Sequence, residues 1–167
     1  MSYLTVARIL FVCLMVNEII VMLRSTPEER KNAPFPRFMP LPVLFLFLPL
    51  FIVLDLPAWL GLIAVTVQAI GFALELAGEV QLARAGAFSV APLVPAEPQS
   101  NGLYRFLENP IYVGILLQFI GWSLWMPLTF ISVALQYEAF RRGVTAERTE
   151  LARANFMLRK VDSRLWN

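Results

Sequence analysis

Apolar residues come in long blocks, over residues 3–23, 39–56, 58–82 and 111–140, separated by shorter polar stretches. Runs of about 18 to 25 residues suit a hydrocarbon core of ~30 Å, which a helix crosses at about 1.5 Å per residue. The blocks therefore predict membrane helices rather than the amphipathic helices of a soluble core. Between the first two blocks, the polar stretch 25–38 carries Pro27, Pro34 and Pro36, which keep it from continuing either helix. Asp55, Leu56 and Pro57 form a tight turn with no basic residue, and Pro57 suits the first turn of the helix that follows. Residues 84–101 contain Pro92, Pro95 and Pro98 and show no periodicity. A structureless connection of that length is functional or disordered.

The apolar stretch 111–140 admits two readings, one long kinked helix or two short helices turning near Trp125, Met126 and Pro127. The placement of basic residues separates them. Of the 14 Lys and Arg residues, four lie within 24–37, two are Arg84 and Arg105, and seven lie within 141–164. All three groups belong on the cytoplasmic side by the positive-inside rule. That requires an even number of crossings between Arg105 and Arg141, which a hairpin supplies. The expected architecture is all-α and integral to the membrane. It has five transmembrane helices, the last two forming a short helical hairpin, followed by a cytoplasmic amphipathic helix. The N-terminus lies outside and the tail inside.

Composition narrows the function classes. The chain of 167 residues is 58% hydrophobic and 16% charged, with a mean hydropathy of +0.65. Soluble domains are nearer one half apolar and about one quarter charged. The net charge is +2, but the basic residues sit in loops and tail, so nucleic acid is not a suggested partner. There is no histidine, which removes His-based general bases, triads and the commonest zinc and haem sites. No metal is expected. The single cysteine, Cys13, lies inside an apolar span and reads as a small buried side chain. The first span has no charged n-region or small-residue cleavage site, so it is expected to be retained.

Several polar residues interrupt the apolar pattern. Glu75 and Glu79 are four apart and share one helix face. They read either as a proton- or cation-handling pair or as interfacial carboxylates near the headgroups, where charge costs little. Ala69, Ala73 and Ala77, with Gly71 and Gly78, permit close helix contact. Trp59, Trp122, Trp125 and Trp166 fall near expected interfaces and read as an aromatic belt. Asn109 and Pro110 form a helix start, with Asn as N-cap and Pro in the first position. Tyr104, Arg105 and Tyr112 around it are either interfacial anchors or ligand contacts. In the tail, 141–167, Leu151, Ala154, Leu158, Val161 and Leu165 keep a roughly helical spacing among alternating charges. An amphipathic helix there would lie on an anionic leaflet or close over a polar pocket.

The stretch from Gly102 to Gly114 carries Gly102, Tyr104, Arg105, Asn109, Pro110, Tyr112 and Gly114. It resembles the Gly-x-Tyr-Arg-x-x-Arg-His/Asn-Pro-x-Tyr-x-Gly signature of the isoprenylcysteine carboxyl methyltransferase and phospholipid methyltransferase superfamily. The resemblance covers residues 85–166. It implies one membrane domain over 1–167, with three N-terminal spans in 1–83 and a methyltransferase-like loop, hairpin and tail in 84–167. It further implies S-adenosylmethionine as methyl donor in a cytoplasm-facing pocket, and a lipophilic acceptor entering from the bilayer lipids. By position, Arg105 and Glu147 inherit catalytic roles. Tyr104, Asn109, Pro110, Tyr112, Gly114 and Glu150 inherit contacts with the cofactor.

Two departures bear on activity. Glu108 stands where the signature has Arg, and the paired glutamates of the tail motif persist only as Glu147 and Glu150 around Arg148 and Thr149. Displacement at a sulfonium needs an in-line approach of about 3–3.5 Å by a nucleophile already free of its proton. A glutamate beside the site tolerates an amine or neutral thiol acceptor better than a carboxylate. The expected function is thus a small membrane methyltransferase acting on an amine or thiol. The alternative is a catalytically inactive accessory subunit of a larger membrane complex.

Overall fold

The first helix begins where Ser2 accepts a hydrogen bond from the Thr5 amide at 3.2 Å, and α1 then runs over Tyr3–Arg24. Ser25 stops it, donating from both its amide and its hydroxyl to the Val21 carbonyl at 3.1 and 2.9 Å. The computed structural model describes residues 2–32, 40–85 and 101–165, which are mostly helical, with no strand among them. A short α2, Pro27–Asn32, follows in the polar stretch. Its start is a capping box: the Thr26 amide donates to Glu29 at 2.7 Å and the Glu29 amide to the Thr26 hydroxyl at 3.2 Å.

The block at 39–56, expected as one span, is broken. The helix α3 covers only Pro40–Leu46, a 3-10 turn occupies Leu48–Leu50, and residues 52–57 are not helical. Pro49 explains the break, because it has no N–H and its ring displaces the carbonyl four residues back. The next helix, α4, is long and unbroken over Ala58–Arg84, starting directly after Pro57. A 3-10 turn at Gly102–Arg105 leads into α5, Pro110–Ser123. A second 3-10 turn, Pro127–Thr129, then reverses the chain into α6, Phe130–Leu165. The chain therefore reverses at Pro127, near the turn expected at Trp125, Met126 and Pro127. The second arm of this reversal and the tail form one continuous helix: α6 runs through 36 residues. No proline follows Pro127, and the lone Gly143 sits buried within the helix without ending it.

Among the described residues, two helices, α1 and α4, are long and apolar enough to cross a membrane. Each buries a narrow stripe and leaves other apolar side chains outside. In α1 the stripe is Ala7, Phe11 and Leu14, while Ile9, Val12, Val16, Ile19 and Leu23 are exposed. Such a helix has no polar face to present to water.

The tightest packing is between α4 and α5, which run antiparallel. Gly78 lies against Pro110 and Ile111, Gly71 against Gly114 and Gln118, and Gly121 against Ala64 and Gln68. Gly61, Ala64, Gln68, Gly71, Glu75 and Gly78 are all buried on α4. Their alternating three- and four-residue steps keep one stripe facing a neighbour over the whole helix. Ala69, Ala73 and Ala77 follow a different four-residue row and are exposed. Of the small residues expected at a contact, the two glycines make it and the three alanines do not.

Trp122 and Trp125 are 1% and 4% exposed, so these two are core residues and not members of an aromatic belt. Trp122 stacks on Phe11, with centroids 4.9 Å apart and planes at 8°, and Phe47 meets Phe11 edge-on at 5.5 Å. Its indole N–H donates to the Leu46 carbonyl at 2.7 Å. That carbonyl, in the last turn of α3, has no helical partner of its own. Trp59 stays exposed, and Trp166 lies outside the described residues.

Candidate functional site

The loop before α5 is held from three directions. Asn109 caps α5, its side-chain oxygen accepting from the Tyr112 amide at 3.3 Å, and Pro110 takes the first helical position as expected. From α4, the Gln81 amide grips the loop at both ends of Gly102. Its Nε2 donates to the Asn101 carbonyl, and its Oε1 accepts from the Leu103 amide at 3.2 Å. Gly102 has φ +59°, the left-handed region that favours glycine. A Cβ there would also lie 2.7 Å from Gln81 Oε1.

The third hold comes from α6. Arg148 meets Glu108 side-on: its Nε donates to Oε1 at 2.7 Å, and its Nη2 donates to both carboxylate oxygens. The Glu108 hydrogen bond, and then its charge, push the Arg148 guanidinium further above its ordinary range. Glu108, the acidic departure within the signature, is thus balanced by Arg148, the basic departure within the tail motif. The loop and the second half of α6 meet across this pair.

The inherited site residues fall into distinct settings. Tyr104 is half-buried, and Arg105 is exposed with its guanidinium 5.9 Å from the Phe106 ring centroid. Tyr112 stacks flat on Phe140 of α6, with centroids 4.2 Å apart and planes at 3°. Pro110 and Gly114 are buried in the α4–α5 seam, where the Cα of Gly114 faces the Gly71 carbonyl and the Glu75 amide. Glu147 and Glu150 flank Arg148 on the α6 backbone, and their side chains lie outside the described residues, as does the connection over residues 86–100. The Glu108–Arg148 pair thus brings the loop carrying Tyr104, Arg105 and Asn109 to the α6 turn that carries Glu147 and Glu150.

Beneath the loop is a polar cluster that sequence reading left undecided. Glu75 is 0% and Glu79 7% exposed, so both carboxylates are enclosed by the neighbouring helices. Asn17 of α1 reaches across and donates from its single amide nitrogen to Glu75 at 2.7 Å and Glu79 at 2.9 Å. Gln118 of α5 donates to the other Glu75 oxygen. Three helices are therefore joined at one point, where α5 contributes Gln118, nine residues beyond the Asn109 cap. Asn17, Gln68, Gln81 and Gln118 are not read as site residues from the sequence alone. The signal that could have found the two α4–α5 glutamines is their spacing: Gln68 precedes Glu75 by seven residues, and Gln118 follows Gly114 by four. Among the described residues no group of acidic or cysteine side chains has metal-ligand geometry.

An open groove of about 320 Å³ runs along α6, lined by Arg141, Arg142, Thr145, Ala146 and Thr149. Both threonine hydroxyls donate back to carbonyls of the preceding turn, and Glu138 holds both arginines.

Residues 59–147, just over half of the chain, match the family model for phospholipid methyltransferase. The chain belongs to the phospholipid methyltransferase family. The matched segment starts with α4, contains the Gln81-held loop, α5 and the hairpin turn, and ends at Glu147. Asn17 and Arg148 therefore lie outside it, while Glu75, Gln81, Glu108 and Gln118 lie within. Neither the curated proteins nor the solved structures gave a match. Membership in the phospholipid methyltransferase family points to a membrane methyltransferase and to a methyl donor of the S-adenosylmethionine type.

Proposed function

We propose that the chain is an integral-membrane, S-adenosylmethionine-dependent methyltransferase whose lipophilic acceptor presents an amine or a thiol. The observation that carries this reading is the Glu108–Arg148 pair. The departure that most threatens activity is neutralised from the facing helix, and the loop stays joined to the turn bearing Glu147 and Glu150. A lapsed site has no need of this compensation.

The same pair bears on the acceptor. Arg148 is engaged with Glu108, so a carboxylate acceptor finds no available guanidinium at the position before Asn109 and Pro110. An amine or neutral thiol requires none. When bound, the cofactor supplies an electrophilic methyl group on a cationic sulfur. The donor set of the loop fits it: an exposed guanidinium at Arg105 suits its carboxylate, and Tyr104 and Tyr112 supply aromatic surface for its base. Glu147, with Glu150 a turn later, completes the proposed site from α6. Its part is to orient the acceptor, since positioning supplies most of the acceleration in such a displacement.

The proposed topology has five crossings, formed by α1, the broken α3 stretch, α4, α5 and the first half of α6. The N-terminus lies outside, and the loop at 101–109 and the tail lie in the cytoplasm. The hairpin turn at Pro127 and the cluster of basic residues beyond Phe140 support it.

The test is isothermal titration of the purified protein in lipid nanodiscs with S-adenosylmethionine and S-adenosylhomocysteine. Micromolar affinity for both is the expected result. Absence of binding, with co-purification of a large membrane complex, would replace the enzyme reading with that of an inactive accessory subunit.

A further inference from the structure

We infer that Gln81, which belongs to α4 and lies outside the signature, is a positioning residue for the donor-binding loop. This deepens the methyltransferase reading and rests on it. The chain returns to the bundle after residues 86–100 and must be placed accurately before Tyr104 and Arg105 can present their side chains. The Gln81 amide provides that reference point. It mimics one peptide unit of a neighbouring strand, offering a donor to the Asn101 carbonyl and an acceptor to the Leu103 amide. Both ends of the peptide segment around Gly102 are thereby tied to the last full turn of α4.

The absence of a side chain at Gly102 makes the grip achievable. The left-handed backbone at Gly102 turns the two flanking peptide groups towards Gln81, and the missing Cβ leaves room for the amide to approach. The 3-10 turn Gly102–Arg105 starts at this anchor, so Tyr104 and Arg105 follow it by only two and three residues. At its other end the loop is fixed by the Asn109 cap. A span of a few residues held at both ends has little freedom, and the ordering cost of binding is then already met in the folded protein.

The experiment uses the full chain in nanodiscs and S-adenosylhomocysteine as probe, with thermal unfolding recorded in parallel. Gln81→Met keeps the length of the side chain and removes both hydrogen bonds. It should weaken binding about tenfold, the effect of losing one to two hydrogen bonds' worth of loop order, while the unfolding midpoint moves little. Gln81→Glu keeps the acceptor for Leu103 and loses the donor, so it should fall between wild type and Gln81→Met. Amide hydrogen exchange should quicken over residues 101–108 in Gln81→Met and not in α5. Wild-type affinity in Gln81→Met would overturn the inference while leaving the enzyme reading intact. A wild type that fails to bind the probe would overturn both. If Gln81→Met does not fold, Gln81→Glu decides, and undiminished binding by it counts against the inference.

Discussion

The α4–α5 seam offers the most direct quantitative test of the structure, through Gly71→Ala. A Cβ on Gly71 would fall 2.5 Å from the Gly114 carbonyl oxygen and 2.8 Å from the Gln118 amide nitrogen. Both are backbone atoms of a helix, so neither yields by rotating a side chain. An ordinary contact of this kind begins at 3.4 Å, which requires the two helices to separate by about 1 Å at this level. A gap of that size removes a quarter to a half of the dispersion energy of the atoms facing it. Overpacking of this type costs about 1–3 kcal/mol. The shift also carries Gln118 away from Glu75, which adds about 1 kcal/mol for a buried hydrogen bond. Better helix propensity returns up to about 1 kcal/mol. The expected net loss is about 1–3 kcal/mol, seen as a lower midpoint of unfolding followed by circular dichroism in a fixed detergent or lipid composition. Gly114→Ala should cost a similar amount, because its Cβ would lie 2.6 Å from the Gly71 carbonyl and 2.7 Å from the Glu75 amide. The double variant should cost less than the two single losses combined, since one separation accommodates both methyl groups. Ala73→Leu, on an exposed row of the same helix, is the control and should stay within about 0.5 kcal/mol of wild type. If Gly71→Ala unfolds with the control, the close approach of α4 and α5 is wrong.

Three further outcomes are expected. Reversing one charge, Glu108→Arg, places like charges together at the loop–α6 contact and should speed amide exchange over residues 102–109; adding Arg148→Glu should restore protection. The partners are 62% and 65% exposed, so the coupling energy should be below about 1 kcal/mol and fall with added salt. Asn17→Leu removes the donor shared by Glu75 and Glu79 and should destabilise the protein by about 1–3 kcal/mol in the same unfolding assay, whereas an unchanged midpoint would mean that α1 does not dock through this amide. Trp122→Phe keeps an aromatic ring facing Phe11 but leaves the Leu46 carbonyl without its donor; a loss of at least about 1 kcal/mol in unfolding free energy is expected, and none would contradict the indole hydrogen bond.

Local chemistry carried much of this protein in readable form. The Asn109 cap and the Pro110 start of α5 depend on neighbouring residues alone, and both stand where the sequence puts them. The turn at Pro127 and the two long apolar helices also follow from short-range patterns of proline, charge and hydropathy. The signature from Gly102 to Gly114 identified the family, because its spacing is contained in one stretch of chain. Pro49 is just as local a signal: it interrupts the helix in the block at 39–56, which block length alone reads as one continuous helix.

Partnerships across the bundle were decided only by tertiary structure. Glu108 read in isolation is an unexplained reversal of charge; its meaning depends on Arg148, forty residues later and on another helix. Glu75 and Glu79 share a helix face in either reading, and only the arrival of Asn17 from α1 and Gln118 from α5 makes them interior. The alanine row and the glycine row of α4 look equally suited to close contact, and the packing of α5 chose the glycines. The physical reason is common to all three. Capping, turn formation and hydropathy act over a few residues and leave a mark in sequence. Which face of a uniformly apolar helix meets which neighbour is set by the fit of two surfaces, and neither helix contains that information alone.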